Sequence, residues 1–187
     1  MSLFYKASNK ELANLRKEVF LKRGMPTLEK KGFVKSPFQG AFFGSFPFGY
    51  MYEFCRIDKN SLLIYFTVTI VRGDKYIQLH LNIFKLQPEI HSVEELKGID
   101  GIQYQLPPNN RTKIRLSPPK GLIFYKMPQE KIKTYYTKSG LDKRIEELGD
   151  ILEKNLTNID TFIERWLHEH QPMLTAWNGM PQKTKTL

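Results

Sequence analysis

The sequence predicts an α+β fold: a mainly antiparallel sheet of about five to seven strands, with an N-terminal helix or helices and a long C-terminal helix packed on it. Three observations carry this. Residues 62–70 and 77–83 alternate with period two, residues 141–166 repeat apolar side chains at helical spacing, and a capping signal precedes the first apolar stripe. With 187 residues, 41% of them hydrophobic and 26% charged, the chain can bury a sizeable core. The expected layout is one α+β domain over residues 1–178 and a flexible tail over 179–187.

Ser8-Asn9-Lys10-Glu11 has the spacing of a capping box, so the first helix starts here. Leu12, Leu15, Val19 and Phe20 keep one face apolar until Gly24 and Pro26 interrupt the pattern. Pro26 to Lys31 then reads as a short second helix, closed by Gly32 with Phe33 folding back.

Between residues 42 and 54 the rings of Phe42, Phe46, Phe48, Tyr50, Tyr52 and Phe54 fall on even positions. An extended chain carries such a row on one side, as a core face or as a stacking platform. Pro47 and Gly49 suggest that the row is broken at a sheet edge. The strand over residues 49–57 meets the next through Asp58-Lys59-Asn60-Ser61. Pairing with residue numbers summing to 118 sends Tyr50, Tyr52 and Phe54 to the core; a sum of 119 would bury Glu53 without a partner, so the first register is favoured.

Leu62, Ile64, Phe66, Val68 and Ile70 alternate with Leu63, Tyr65, Thr67 and Thr69, and Ile77, Leu79, Leu81 and Ile83 with Gln78, His80 and Asn82. A two-residue turn at Gly73-Asp74 gives a sum of 147, which matches apolar with apolar on one face. On the other face it lines up Tyr65 with Asn82, Thr67 with His80 and Thr69 with Gln78. Ser92 to Glu95 starts a short helix that ends at Lys97. Proline pairs at 107–108 and 118–119 then divide a basic region into outer strands and loops, with Ile114 and Leu116 inward and Lys113 and Arg115 outward. One helix over residues 140–169 is preferred to two, with Thr157 as the weak point. A short docked segment around Trp177 follows Pro172.

The net charge of +10 is unevenly placed. Residues 1–35 carry nine basic and three acidic side chains and residues 106–138 eight and one, while residues 139–171 carry four and eight. The basic segments either form an anion-attracting surface or dock against the acidic helix. The anion-binding candidates are Arg16, Lys17, Lys22, Arg23, Arg111, Lys113, Arg115 and Lys120. A polar sheet face of Tyr65, Thr67, Gln78, His80 and Asn82 is the candidate small-ligand surface.

No phosphate loop, dinucleotide turn, nucleophile elbow or zinc helix is present, so no cofactor or metal is expected and catalysis is disfavoured. His168 and His170, two apart on a helix, point away from each other and do not share an ion. The single cysteine, Cys55, reads as a core residue and fits a reducing, cytoplasmic setting. No apolar run reaches the ~18 residues of a membrane span. The leading expectation is a non-catalytic binding module for nucleic acid or an acidic protein. The alternatives are a homodimeric interaction protein, and a small-ligand protein or enzyme built on the face around His80.

Overall fold

The computed structural model describes residues 5–38, 41–87, 89–97, 114–115, 132 and 135–176. It is α+β, as the sequence predicts. Strands β1 (Tyr5–Lys6) and β8 (Tyr135–Tyr136) form a small antiparallel ribbon. The main sheet holds β2 (Val34–Lys35), β3 (Phe43–Phe46), β4 (Gly49–Asp58), β5 (Leu62–Val71), β6 (Gln78–Gln87), β7 (Ile114–Arg115) and β9 (Met173–Ala176). Its central order is β2-β4-β5-β6-β7, with β3 also beside β4 and β9 also beside β6.

One face of this sheet is covered by helices. Helix α1 (Asn9–Val19) begins with the expected capping box, in which Glu11 N–H donates to Ser8 Oγ at 3.2 Å and Ser8 N–H to Glu11 Oε2 at 3.4 Å. The expected short second helix is present, but no non-helical gap at Gly24 and Pro26 separates it from the first. A π-helical turn, Phe20–Gly24, carries the chain into α2 (Met25–Lys30), and Pro26 falls in the first turn, where a missing N–H is tolerated. Gly32 at φ 78° closes α2: its N–H donates to Glu29 O, and Phe33 N–H reaches back to Leu28 O.

The C-terminal stripe forms two helices, α4 (Lys138–Thr157) and α5 (Ile159–Glu169), where its unbroken phase predicts one. At the break, Thr157 Oγ1 donates to Glu153 O and Asn158 Nδ2 to Lys154 O, so side chains take up the last carbonyls of α4. Both helices still feed the core: Leu148, Leu152, Leu156, Ile159, Ile163 and Trp166 are buried with Phe20, Leu28 and Phe66. A second cluster, under α3 (Val93–Lys97), joins Phe38, Cys55, Leu63, Phe84 and Leu96 on the opposite face.

The β5–β6 pairing has the expected sum of 147, with Tyr65 opposite Asn82, Thr67 opposite His80 and Thr69 opposite Gln78. Its connection is wider than the expected two-residue turn at Gly73-Asp74. Asp74 N–H donates to Val71 O, which centres the turn on Arg72 and Gly73. The loop is held open from inside by Arg16. This guanidinium, 0% exposed, donates to Val71 O at 3.1 Å, to Tyr76 O at 3.4 Å and to Asp74 O, while its Nε donates to Leu12 O at 3.1 Å.

The β4–β5 pairing sums to 120 rather than 118, so Tyr50, Tyr52 and Phe54 meet Ile70, Val68 and Phe66. The shift of two keeps every side chain on its expected face. Its cause is a three-residue turn, Lys59–Ser61, with Asn60 and Ser61 at positive φ and Ser61 Oγ accepting from Ile90 N–H at 2.8 Å. Within the basic segment 106–138, Ile114–Arg115 pairs with Leu81 and His80 at the main sheet, and Tyr135–Tyr136 belongs to the small ribbon. Strand β9 adds parallel to β6, through Met173 opposite Phe84. Trp177 and the tail lie outside the described residues.

Candidate recognition site

The aromatic row folds back on itself. Pro47 and Phe48 form a two-residue turn between β3 and β4, pairing Phe46 with Gly49, Ser45 with Tyr50, Gly44 with Met51 and Phe43 with Tyr52. These sums are odd, so even positions of β3 share a face with odd positions of β4. One even-numbered row is thereby split between two faces. Tyr52 and Phe54, 5% and 1% exposed, enter the helix-covered core, and half-buried Tyr50 packs against it. Phe42 and Phe46 turn to the opposite face.

The turn presses hard on β5. A Cβ on Gly49 would lie 2.0 Å from Ile70 O, so only glycine fits, and Arg72 N–H donates to Phe48 O at 2.9 Å. This anchoring leaves the rings outside. Phe48 is 69% exposed, Phe42 44% and Phe43 36%. Phe42 meets Phe46 with centroids 6.2 Å apart at 62°, and Phe46 meets Phe48 at 6.0 Å and 71°. Phe43 stands edge-on to Tyr52 and Phe54, at 5.4 and 5.2 Å.

Cations flank the helix-side rings. Lys35 Nζ lies 5.1 Å from the Phe43 centroid, and Lys17 Nζ lies 5.2 Å from that of Tyr50. The Tyr50 hydroxyl donates to Asn14 Oδ1 at 2.6 Å, which fixes β4 to α1. On the other face the Glu53 carboxylate accepts Phe42 N–H at 2.6 Å and hydrogen-bonds the Tyr65 hydroxyl. Burial raises the Glu53 pKa, and these two hydrogen bonds oppose the rise. Burial also holds Tyr65 protonated above the ordinary phenol range.

The polar-face candidates do share one side of the sheet. Glu53, Thr67 and His80 are successive register partners, and Arg115 occupies the next position. Tyr65 packs on Phe38 at 6.1 Å, while Gln78 Nε2 donates to Asp74 Oδ2 at 2.6 Å. Asn82 is buried, and its Oδ1 accepts Ile83 N–H at 3.1 Å. Among the described residues, no group of three or more His, Cys, Asp or Glu side chains could hold a metal.

The basic candidates divide differently. Arg16 is a correction: it is a buried clamp on backbone carbonyls and presents no charge to a partner. Arg23 lies against α4, 2.7 Å from both Asp150 and Glu153 and 3.5 Å from Glu146, which is the docking of basic on acidic segment that the charge map left open. Lys17 pairs with Glu18 at 2.7 Å, and Lys22 is exposed. Arg111, Lys113 and Lys120 lie outside the described residues.

Sequence reasoning missed the exposed phenylalanines as a separate surface. The signal was present in Gly44, Pro47 and Gly49, because proline followed two residues later by glycine marks a tight turn. No helix among the described residues is long and apolar enough to cross a membrane. Comparison with protein-family models, curated proteins and solved structures gave no match.

Proposed function

We propose that the chain is a non-catalytic binding module for an anionic macromolecule, nucleic acid or acidic protein, with the β3–β4 hairpin as its recognition element. The observation that carries this reading is the exposure of Phe42, Phe43 and Phe48 on a hairpin anchored at Gly49 and flanked by Lys35 and Lys17. Large exposed rings on a rigid support are an unusual use of apolar surface, and they supply contact area at low entropy cost. The net charge of +10 supplies long-range attraction to an anion. The first basic segment contributes less than its composition suggests, because Arg16 and Arg23 are committed within the fold.

Anisotropy titrations against labelled single- and double-stranded RNA and DNA, and against acidic peptides, at about 50 and 200 mM salt test this reading. Binding by one class at low salt that weakens at high salt is the expected result. Silence across the whole panel at low salt removes it.

A second reading, small-ligand binding, rests on the row Glu53, Thr67 and His80 with Arg115 at the next register position. A thermal-shift screen of small polar ligands tests it. It requires a stabilisation that His80→Ala abolishes.

A further inference from the structure

Strand β3 pairs with β4 on one side, and among the described residues nothing pairs with its other side. Glu53 N–H donates to Phe42 O at 3.0 Å, and Phe42 N–H donates to the Glu53 carboxylate at 2.6 Å. Phe42 therefore turns its backbone groups toward β4, as do Gly44 and Phe46 by alternation. Those of Phe43 and Ser45, both exposed residues, point outward. Residues 43–46 contain neither a charge nor a proline, the usual guards of a sheet edge.

The two flanks of this edge differ in chemistry. On the helix side, Lys35 stands over Phe43, and Lys17 over Tyr50, the register partner of Ser45. On the other side lie Phe42 and Phe46, with Phe48 against Phe46. An added strand alternates its side chains between these two flanks. We infer that β3 accepts an extended peptide segment of a partner protein in which acidic residues alternate with apolar ones. The acidic residues face Lys35, with Lys17 held beside Tyr50 by its own ion pair to Glu18, and the apolar ones cover Phe42 and Phe46. This rests on the reading of the hairpin as the recognition element and names its partner.

Nucleic acid fits the edge less well. Phe42, Phe46 and Phe48 meet edge to face at 62° and 71°, so they form an apolar ridge rather than parallel plates for bases. A second copy is disfavoured by charge. A twofold pairing of β3 with itself sets the Lys35 and Lys17 flanks of two +10 chains side by side.

The test uses a fluorescein-labelled peptide of alternating valine and glutamate. Its controls are a block-sequence peptide of the same composition and a version N-methylated at alternate residues. Anisotropy at low salt should show the alternating peptide binding at least about tenfold more tightly than either control, because strand addition depends on main-chain hydrogen bonds as well as charge. Ser45→Pro, which removes one outward N–H, should weaken binding, with circular dichroism showing the fold retained. Equal binding of all three peptides overturns the inference, since charge alone would then explain it. Oligonucleotide binding that Phe48→Ser abolishes, with no peptide binding, overturns strand addition while the hairpin reading stands. A doubled mass in light scattering that Ser45→Pro returns to monomer assigns the edge to a second copy and also overturns it. No hairpin-dependent binding by any probe removes both readings.

Discussion

Arg16 shows how far a residue's role can lie from its charge. Its donors satisfy backbone carbonyls of Leu12, Val71, Asp74 and Tyr76, and burial lowers its pKa against the pull of Asp74. Arg16→Met removes those donors and leaves carbonyls buried, so urea unfolding should report a loss of about 3 kcal/mol. A loss below ~0.5 kcal/mol, the usual range for a surface change, would contradict the clamp. Glu53 behaves in the opposite sense to a stabilising ion pair. Its folded pKa is raised, first by burial, so the folded state binds this proton more tightly than the unfolded chain. Its contribution is fully present below the ordinary carboxylate range and is lost as pH rises through the raised value. The melting temperature of the wild type relative to Glu53→Gln should therefore fall as pH rises above the ordinary carboxylate range. A flat difference over that rise counts against the raised pKa. Ser8 and Glu11 were legible in the sequence because the box they form is local. Arg16 was not, because its hairpin partners lie 55 to 60 positions away.

Elements were legible where both faces of a pairing constrained the register. The 147 sum of β5–β6 matched apolar with apolar on one face and polar with polar on the other, so a slip would have cost both. The aromatic stretch lacked this constraint, because rings suit either face. Its division between core and surface depended on a turn at Pro47-Phe48 that reverses parity. That account separates two neighbouring substitutions. Phe48→Ser alters a ring that is 69% exposed and should change stability by less than about 0.5 kcal/mol. Gly49→Ala places a methyl 2.0 Å from Ile70 O and should cost more than about 2 kcal/mol, with the hairpin displaced from β5. Thermal melts of the two variants check the contrast, and equal stabilities would refute the anchoring.

At the scale of the molecule, the fold redistributes charge that the sequence only lists. Arg23 is absorbed by Asp150 and Glu153 of α4, and Lys31 and Arg56 both reach Asp160 of α5, at 2.8 and 3.0 Å. Composition could not reveal this because the partners are distant in sequence, and Asp160 lies 129 residues from Lys31. What remains at the β3 edge is a small number of lysines beside exposed phenylalanines, and this combination underlies the proposed binding role. The most direct measurement compares wild type with a Phe42→Ser/Phe48→Ser double variant, titrated at about 50 mM salt against whichever anionic probe the wild type binds. The account expects the variant to remain folded and to bind at least about tenfold more weakly, as loss of exposed aromatic anchors implies. Unchanged affinity in a folded double variant would contradict it and separate binding from the hairpin.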